Sequence, residues 1–320
     1  MSITTHIEKG RYRTYLDKVT DAPVFAQPWF LDVVCGADQW FAIVVEKKGE
    51  AIGAMAFSFE KAWGQRAIVN RKMQPYTCIL IDVPSNMKGV NARSREKEVV
   101  EAIAANLPNV DRVNIKLYHN VQNWLPFYWK GFQQTTFYTY VIESRGRSVE
   151  DVQMDYRSSV RSMIKKARKT LTTTEDLAAD VLIEQANKTF ALKNKRYPND
   201  PDIIRLLHRE SKEKGVGKLM GAVDDEGNIH ATMFLLEDER MVYYLLGASD
   251  PEYRNTGGSS LLLDEAIAYA IGRGKAFNFE GSMDQGIESF FRSFGSEQMP
   301  LMKLSLNRSL AMRLYDLIKR

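Results

Sequence analysis

Apolar residues recur along this chain at two spacings. In FAIVVEKKGEAIGAMAFSFE (41–60) two β-rich runs flank Lys47-Lys48-Gly49-Glu50, a pattern that predicts a hairpin. QRAIVNR (65–71), YTCILIDV (76–83), RVNIKLYHN (112–120) and TTFYTYVIE (135–143) predict further strands. In ARSREKEVVEAIAANLP (92–108) the spacing changes: Val99, Val100, Ile103 and Leu107 recur near a helical turn and Pro108 closes the run, which predicts a helix. A short aromatic segment, WLPFYWKGF (124–132), lies between the last two strands.

The second half repeats this order. GKLMGAVDDEGNIHATMFLLEDERMVYYLLGAS (217–249) predicts three strands separated by Asp225-Glu-Gly-Asn and Glu237-Asp-Glu-Arg turns. A helix follows from near Ser259, then a strand in KAFNFEG (275–281), an aromatic segment IESFFRSFG (287–295) and a strand in PLMKLSLN (300–307). Helix, strand, aromatic pair and strand thus occur twice at an offset of about 160 residues, which predicts an internal duplication. Between the halves, SVEDVQMDYRSSVRSMIKKARKT (148–170) predicts one helix from the spacing of Val160, Met163, Ile164 and Ala167. Ser144-Arg145-Gly146-Arg147 is the linker candidate, dividing the chain into domains 1–146 and 147–320.

Length agrees with that division, since 320 residues suit two domains of roughly 150. Hydrophobic residues at 44% and charged ones at 26% exclude a disordered or fibrous chain. The 44 basic and 40 acidic side chains leave +4 overall, too mild to require a nucleic-acid partner, so no DNA partner is expected and any basic site must be local. Cys35 and Cys78 stand without metal-ligand spacing, so neither a metal nor a disulfide framework is expected, and the cytoplasm is the expected compartment. No run of apolar residues has the length of a membrane span or the form of a signal peptide.

The chemistry of most interest sits in ASDPEYRNTGGSSLLLDEAIAYA (248–270). A strand ends at Asp250-Pro251, and Arg254-Asn255-Thr256-Gly257-Gly258-Ser259-Ser260 leads into a helix with Leu262, Ala266, Ile267 and Ala270 on one face. A helix start offers unsatisfied N–H donors and a partial positive charge, and glycines allow a phosphate to approach that backbone. Such a turn also occurs as a plain tight turn. The spacing excludes the dinucleotide fingerprint and the P-loop.

YRNTGGSSLLLDEAIAYA resembles the acyl-CoA signature of the GNAT acyltransferase superfamily, carried here by Arg254, Gly257 and Ser259. PFYWKGF is similar to a segment late in the same fold, through Phe127, Tyr128, Gly131 and Phe132. PVFAQPWFLDVV, VRSMIKKARK and FNFEGSMDQGIESFFRSFG look like the Fem-type branch of tandem GNATs, which includes peptidoglycan-precursor aminoacyltransferases. The resemblance implies an α+β fold of two GNAT-like domains, each a mixed, mostly antiparallel sheet flanked by helices. It also implies transfer of an acyl group from acyl-CoA, or of an aminoacyl group from tRNA, to an amine such as that of a peptidoglycan precursor. The first domain, with no comparable turn, would shape the acceptor side. The pattern departs at Ser259, where Gly or Ala is usual, and at Phe290-Phe291, where many members carry a tyrosine.

In that chemistry a backbone N–H polarises the donor carbonyl while a neutral amine attacks it. The resemblance places that N–H near Leu246 and Gly247. Glu280 and Asp284 are the candidate bases, Glu280 sharing a polar strand face with Asn278, and both also suit turn capping. Tyr243 and Tyr244 are candidate proton donors that equally suit strand packing. Arg157, Arg161, Lys165 and Lys169 form a basic stripe able to hold phosphates or to serve as a solvated helix face. His6, His119, His208 and His230 are placed by no motif. A non-catalytic ligand-binding module built on a degenerate GNAT pair is the competing expectation.

Overall fold

The computed structural model describes residues 3–62 and 64–309. The first half contributes β1 (Ile3–Ile7), α1 (Lys9–Leu16), α2 (Pro28–Cys35), β2 (Trp40–Lys47), β3 (Glu50–Ala62), β4 (Gln65–Val69), β5 (Ile79–Ile81), α3 (Gly89–Asn106), β6 (Arg112–Lys116), α4 (Leu125–Tyr128) and β7 (Gln133–Ile142). The second contributes α5 (Val149–Met154), α6 (Ser158–Ala167), β8 (Leu171–Thr174), α7 (Ala179–Ala191), α8 (Pro201–Glu213), β9 (Gly217–Asp224), β10 (Ile229–Glu237), β11 (Met241–Ser249), α9 (Gly258–Gly272), β12 (Ala276–Asn278), α10 (Gln285–Arg292) and β13 (Glu297–Asn307).

Two compact units result. One is Met1–Phe137 with Pro300–Arg320, the other Tyr138–Met299. The division falls at Phe137/Tyr138, inside β7, rather than at the linker candidate near 146, because strand pairing sets it. The end of β13 pairs with β6, from Lys303↔Lys116 to Asn307↔Arg112, and so completes the first sheet. The end of β7 pairs with β12 through Val141 and Ile142 and completes the second.

In the first unit the sheet runs β1-β2-β3-β4-β6-β13, with β5 beside β3. Only β4 and β6 among these pairs are parallel. The predicted hairpin is present: Lys47 faces Glu50, and Lys48 and Gly49 both adopt positive φ, 58° and 79°, as a two-residue primed turn requires. The helix predicted from Val99, Val100, Ile103 and Leu107 is α3, whose apolar stripe packs on Ile43, Met55, Ile68 and Val113.

The second unit follows the same order, with its sheet running β8-β9-β10-β11-β12-β7 and only β11 and β12 parallel. Both units are α+β, with mixed, mostly antiparallel sheets flanked by helices. The expected duplication is visible as matching element order.

Helix α9 departs from its expected one-sided pattern. Leu261, Leu262 and Leu263 are consecutive and all at most 1% exposed, as are Ala266, Ile267 and Ala270. A helix buried on more than one face needs cover on both sides. The sheet supplies one side and the segment 148–170 the other, breaking into α5 and α6 rather than forming one helix. Ser148 and Asp151 form a capping box at the start of α5, and Val160, Ile164 and Ala167 of α6 face the core. Burying three leucines there contributes about 6 kcal/mol at roughly 2 kcal/mol each.

Candidate functional site

Strand β11 has two different edges. Toward β10 it pairs from Glu237↔Val242 to Ala231↔Ser249. Toward β12 the parallel pairing covers only Met241↔Ala276, Val242↔Phe277 and Tyr243↔Asn278. Beyond Tyr243, β11 continues to Ser249 while the other chain turns away through Glu280 and Gly281, at φ 60° and 68°. Among the described residues no strand pairs with β11 on that side past Tyr243. The register also slips opposite Phe234/Leu235, so Leu246 faces Phe234 and Tyr244 faces Leu235, leaving Leu245 as a bulge. Bulges release backbone groups from the ladder and re-aim the strand. Leu246 and Gly247, expected to supply a backbone donor, lie directly after it. The sequence carries no sign of the slip, since the run MVYYLLGAS is uniformly strand-like.

Tyr244 lies on this open stretch. Its hydroxyl packs on Gly247, where any Cβ would overlap it, and its ring meets Phe291 edge-on at 5.9 Å. Burial, and then the nearby Tyr197, push its phenol up to about 12, so it carries its proton at neutral pH. Tyr197, from the segment between α7 and α8, accepts a hydrogen bond from Asn199 Nδ2 at 3.1 Å and packs against Phe190. Nothing in the local sequence brings Tyr197 to this strand. Tyr243, by contrast, is fully buried and donates to Asp238 Oδ2 at 2.7 Å.

At the end of β11 the chain enters the glycine turn. Asp250 Oδ1 accepts from the Glu252 N–H at 3.0 Å and Oδ2 pairs with Lys188 at 2.9 Å. Thr256 donates through both its N–H and its hydroxyl to Tyr253 O, at 3.0 and 2.7 Å. Arg254 and Asn255 are exposed, Thr256 and Ser259 half-buried, and Gly257, Gly258 and Ser260 buried. The glycines serve the protein's own packing. Gly257 adopts φ 86°, and a Cβ there would lie 3.0 Å from Met163 Cγ and 3.2 Å from Ala167 Cβ, both on α6. A Cβ on Gly258 would touch Ala222, His230 and Ala231. Ser260 Oγ donates to Met163 Sδ at 3.5 Å. Helix α6 therefore covers one flank of the turn, while Arg254 and Asn255 stay open on the other.

Glu280 follows β12 with both carboxylate oxygens shielded from solvent, and its N–H donates to Asn278 Oδ1 at 2.9 Å. Asn278, expected on the same polar strand face, is fully buried and accepts from Thr139 Oγ1 at 2.6 Å. Asp284 is exposed and caps α10, accepting from the N–H groups of Gly286 and Ile287 at 3.0 and 3.1 Å.

The basic stripe is divided. Arg157 precedes α6 and Lys169 follows it. Arg161 and Lys165 border a cleft of about 410 Å³, with Gln153, Tyr156, Arg168 and Asp264 on its walls. The Arg161 guanidinium donates to Met154 O at 2.9 Å and to Tyr156 O. Among the described residues no three His, Cys, Asp or Glu side chains are grouped to hold a metal ion, and no helix is long and apolar enough to cross a membrane.

Comparison with known proteins bears on the fold. Residues 154–281 match the family described as Acetyltransferase (GNAT) domain. No curated protein sequence matches the chain. Among solved structures the chain is similar to FemX, at 14% identity and TM-score 0.66 with all of both chains covered. It is also similar to L-PGS from Bacillus licheniformis, at 11% identity and TM-score 0.54, covering 96% of this chain and 95% of that one. A third is the tandem GNAT protein from the clavulanic acid biosynthesis pathway, at 11% identity and TM-score 0.53, covering 96% and 99%. The chain has the Fem-like tandem-GNAT fold, and its second unit carries the GNAT domain.

Proposed function

We propose that the second unit binds an acyl donor along the open edge of β11 and transfers the acyl group to an amine. The observation that carries this reading is the parting of β11 from β12 after Tyr243, next to a bulge and directly before the exposed side of the Arg254–Ser260 turn. A donor whose carbonyl lies at the bulge meets backbone donors near Leu246 and Gly247, and its phosphates reach Arg254, Asn255 and the first amides of α9. A neutral amine attacks the carbonyl, the bond to the leaving thiolate or ribose oxygen breaks, and the amine proton departs to Glu280 or water. Tyr244, protonated at neutral pH, acts as a donor to the leaving group and not as a base. Arg161 and Lys165 are assigned to an anionic part of the acceptor or donor.

Acyl-CoA is the first donor to test, because the clavulanic acid pathway neighbour is described with reference to AcCoA. Aminoacyl-tRNA is the second, with a peptidoglycan precursor as acceptor and the cytoplasm as compartment. The deciding experiment titrates CoA, acetyl-CoA and aminoacyl-tRNA into the protein and into Arg254→Glu, which reverses the charge on the exposed side of the turn, then assays transfer to amines. Binding that Arg254→Glu abolishes supports the reading. Silence toward all three donors removes it. Salt dependence tells the donors apart, since tRNA affinity falls steeply as phosphate contacts are screened.

Two observations favour a second reading, a binding module without catalysis: Met163 and Ala167 crowd the glycine turn, and Phe290 and Phe291 supply no hydroxyl. Donor binding with no transfer to any amine selects it.

A further inference from the structure

His230, on β10 behind the glycine turn, is engaged in contacts that need one more hydrogen than a neutral ring supplies. Its Nε2 stands 2.9 Å from Asp224 Oδ2, its Nδ1 stands 3.0 Å from Thr256 Oγ1, and Thr256 Oγ1 stands 2.7 Å from Tyr253 O. A carbonyl only accepts. The Asp224 oxygen also only accepts, because hydrogen bonds from Asn228, and then from His230, hold its carboxyl down at about 2. Nε2–H therefore serves Asp224, and the threonine hydroxyl hydrogen serves Tyr253. The remaining contact, between Nδ1 and Oγ1, is a hydrogen bond only when Nδ1 is protonated as well. A neutral imidazole and one hydroxyl bring two hydrogens to three contacts, whereas an imidazolium brings the third.

We infer that His230 is a positioning residue, held as a doubly donating imidazolium that locks the turn from Tyr253 to Thr256 in front of α9. The Tyr253 ring lies flat over it, with centroids 4.0 Å apart and planes 2° from parallel, closing the same loop from the other side. The charged and titratable groups around the ring are Asp224 on β9, Asp250 and Tyr253 on the turn, and Lys188 of α7, which is paired to Asp250. When the ring loses its proton, the threonine hydroxyl can satisfy either Nδ1 or Tyr253 O but not both. The turn then loosens at the same step that removes a positive charge beside it. The inference rests on the proposed function only for the statement that this turn receives a donor. The clamp itself is a property of the chain.

Amide hydrogen exchange over residues 250–261, corrected for intrinsic rates, tests it between about pH 5 and about pH 8, where a histidine changes charge. Wild type should lose protection in this turn by about fivefold as the pH rises, the worth of one hydrogen bond of about 1 kcal/mol at 1.36 kcal/mol per decade. His230→Gln and Thr256→Val should show low protection throughout and no such dependence, while melting cooperatively. Long-range 15N spectra should show both ring nitrogens of wild-type His230 protonated at the acid end. A flat wild-type profile, a His230→Gln profile that keeps the dependence, or a singly protonated ring at the acid end would each overturn the clamp. CoA and aminoacyl-tRNA titrations on wild type at both pH values keep the two ideas separate. Absence of donor binding refutes the donor reading alone, and the exchange profile still decides the clamp.

Discussion

The guanidinium of Arg168 stands 2.8 Å from Oδ2 of Asp264, a carboxylate only 2% exposed in the second turn of α9. Gln153 Nε2 reaches the other oxygen at 2.8 Å, so α5 and the end of α6 are both tied to one buried charge. Glu265 lies 2.6 Å from the same Arg168 nitrogen. Removing the arginine leaves the carboxylate with half its partners, whereas removing both charges leaves an apolar contact between helices. Arg168→Met should cost about 2 kcal/mol in urea unfolding, reduced from the fully buried case by the half-exposure of the arginine, and Arg168→Met with Asp264→Leu should recover more than half of that. A double variant as unstable as the sum of the singles would show that the pair does not act as a unit.

The glycine turn gives a second prediction, because Gly257 has two separable reasons to be glycine. Its φ of 86° disfavours any L-residue, and a Cβ there would press on Met163 and Ala167 of α6 at 3.0 and 3.2 Å, so that α6 must give by a few tenths of an ångström. Gly257→Ala should lower stability by about 2 kcal/mol, of which backbone strain is about 1 kcal/mol. Adding Met163→Ala removes the steric part only. If the double variant melts no higher than expected from the two single losses, Met163 does not crowd the turn.

Tyr244 should titrate late. Its native pKa of about 12 lies above the ordinary 10.0, so the folded state holds the proton more tightly than the unfolded chain does. Stability from this source is complete below pH 10.0 and is lost as pH rises through about 12. The ring-carbon resonance of Tyr244 should keep its phenol position past the pH at which exposed tyrosines have moved, and Tyr244→Phe should abolish that part of the alkaline stability loss. Movement of the resonance together with the exposed tyrosines would contradict the burial seen here.

Glu280 holds a left-handed backbone, φ 60°, that glutamate adopts only at a cost. Glu280→Gly should raise stability by about 1 kcal/mol and abolish transfer if the carboxylate is the base. Glu280→Gln keeps the side-chain length and separates the carboxylate from the backbone effect. Full transfer activity in Glu280→Gly would remove Glu280 from the chemistry.

Local patterns carried much of the fold. The hairpin at Lys48-Gly49 was legible because turn chemistry and strand propensity act within a few residues, and α3 because Pro108 and the spacing from Val99 to Leu107 are equally local. The repeated order of helix, strand and aromatic segment exposed the duplication for the same reason. What escaped is set by distant partners. The break between α5 and α6 follows from how the segment covers α9, and the bulge at Leu245 from its register with β10. His230 has no motif because Asp224 and Thr256 approach it from other elements. In the candidate site, the strand-turn-helix order around Gly257 was readable, whereas the cover from Met163 and the approach of Tyr197 were not.

The pairing of the end of β13 with β6 has a consequence for synthesis. Until residues 303–307 leave the ribosome, the first unit has an unfilled edge along β6, where the backbone groups of Arg112–Lys116 lack the neighbour they finally acquire. Exposed edges of that kind recruit stray strands. The nascent chain must therefore be kept from itself and from its neighbours until those residues emerge, and a fragment ending at residue 146 never escapes that exposure.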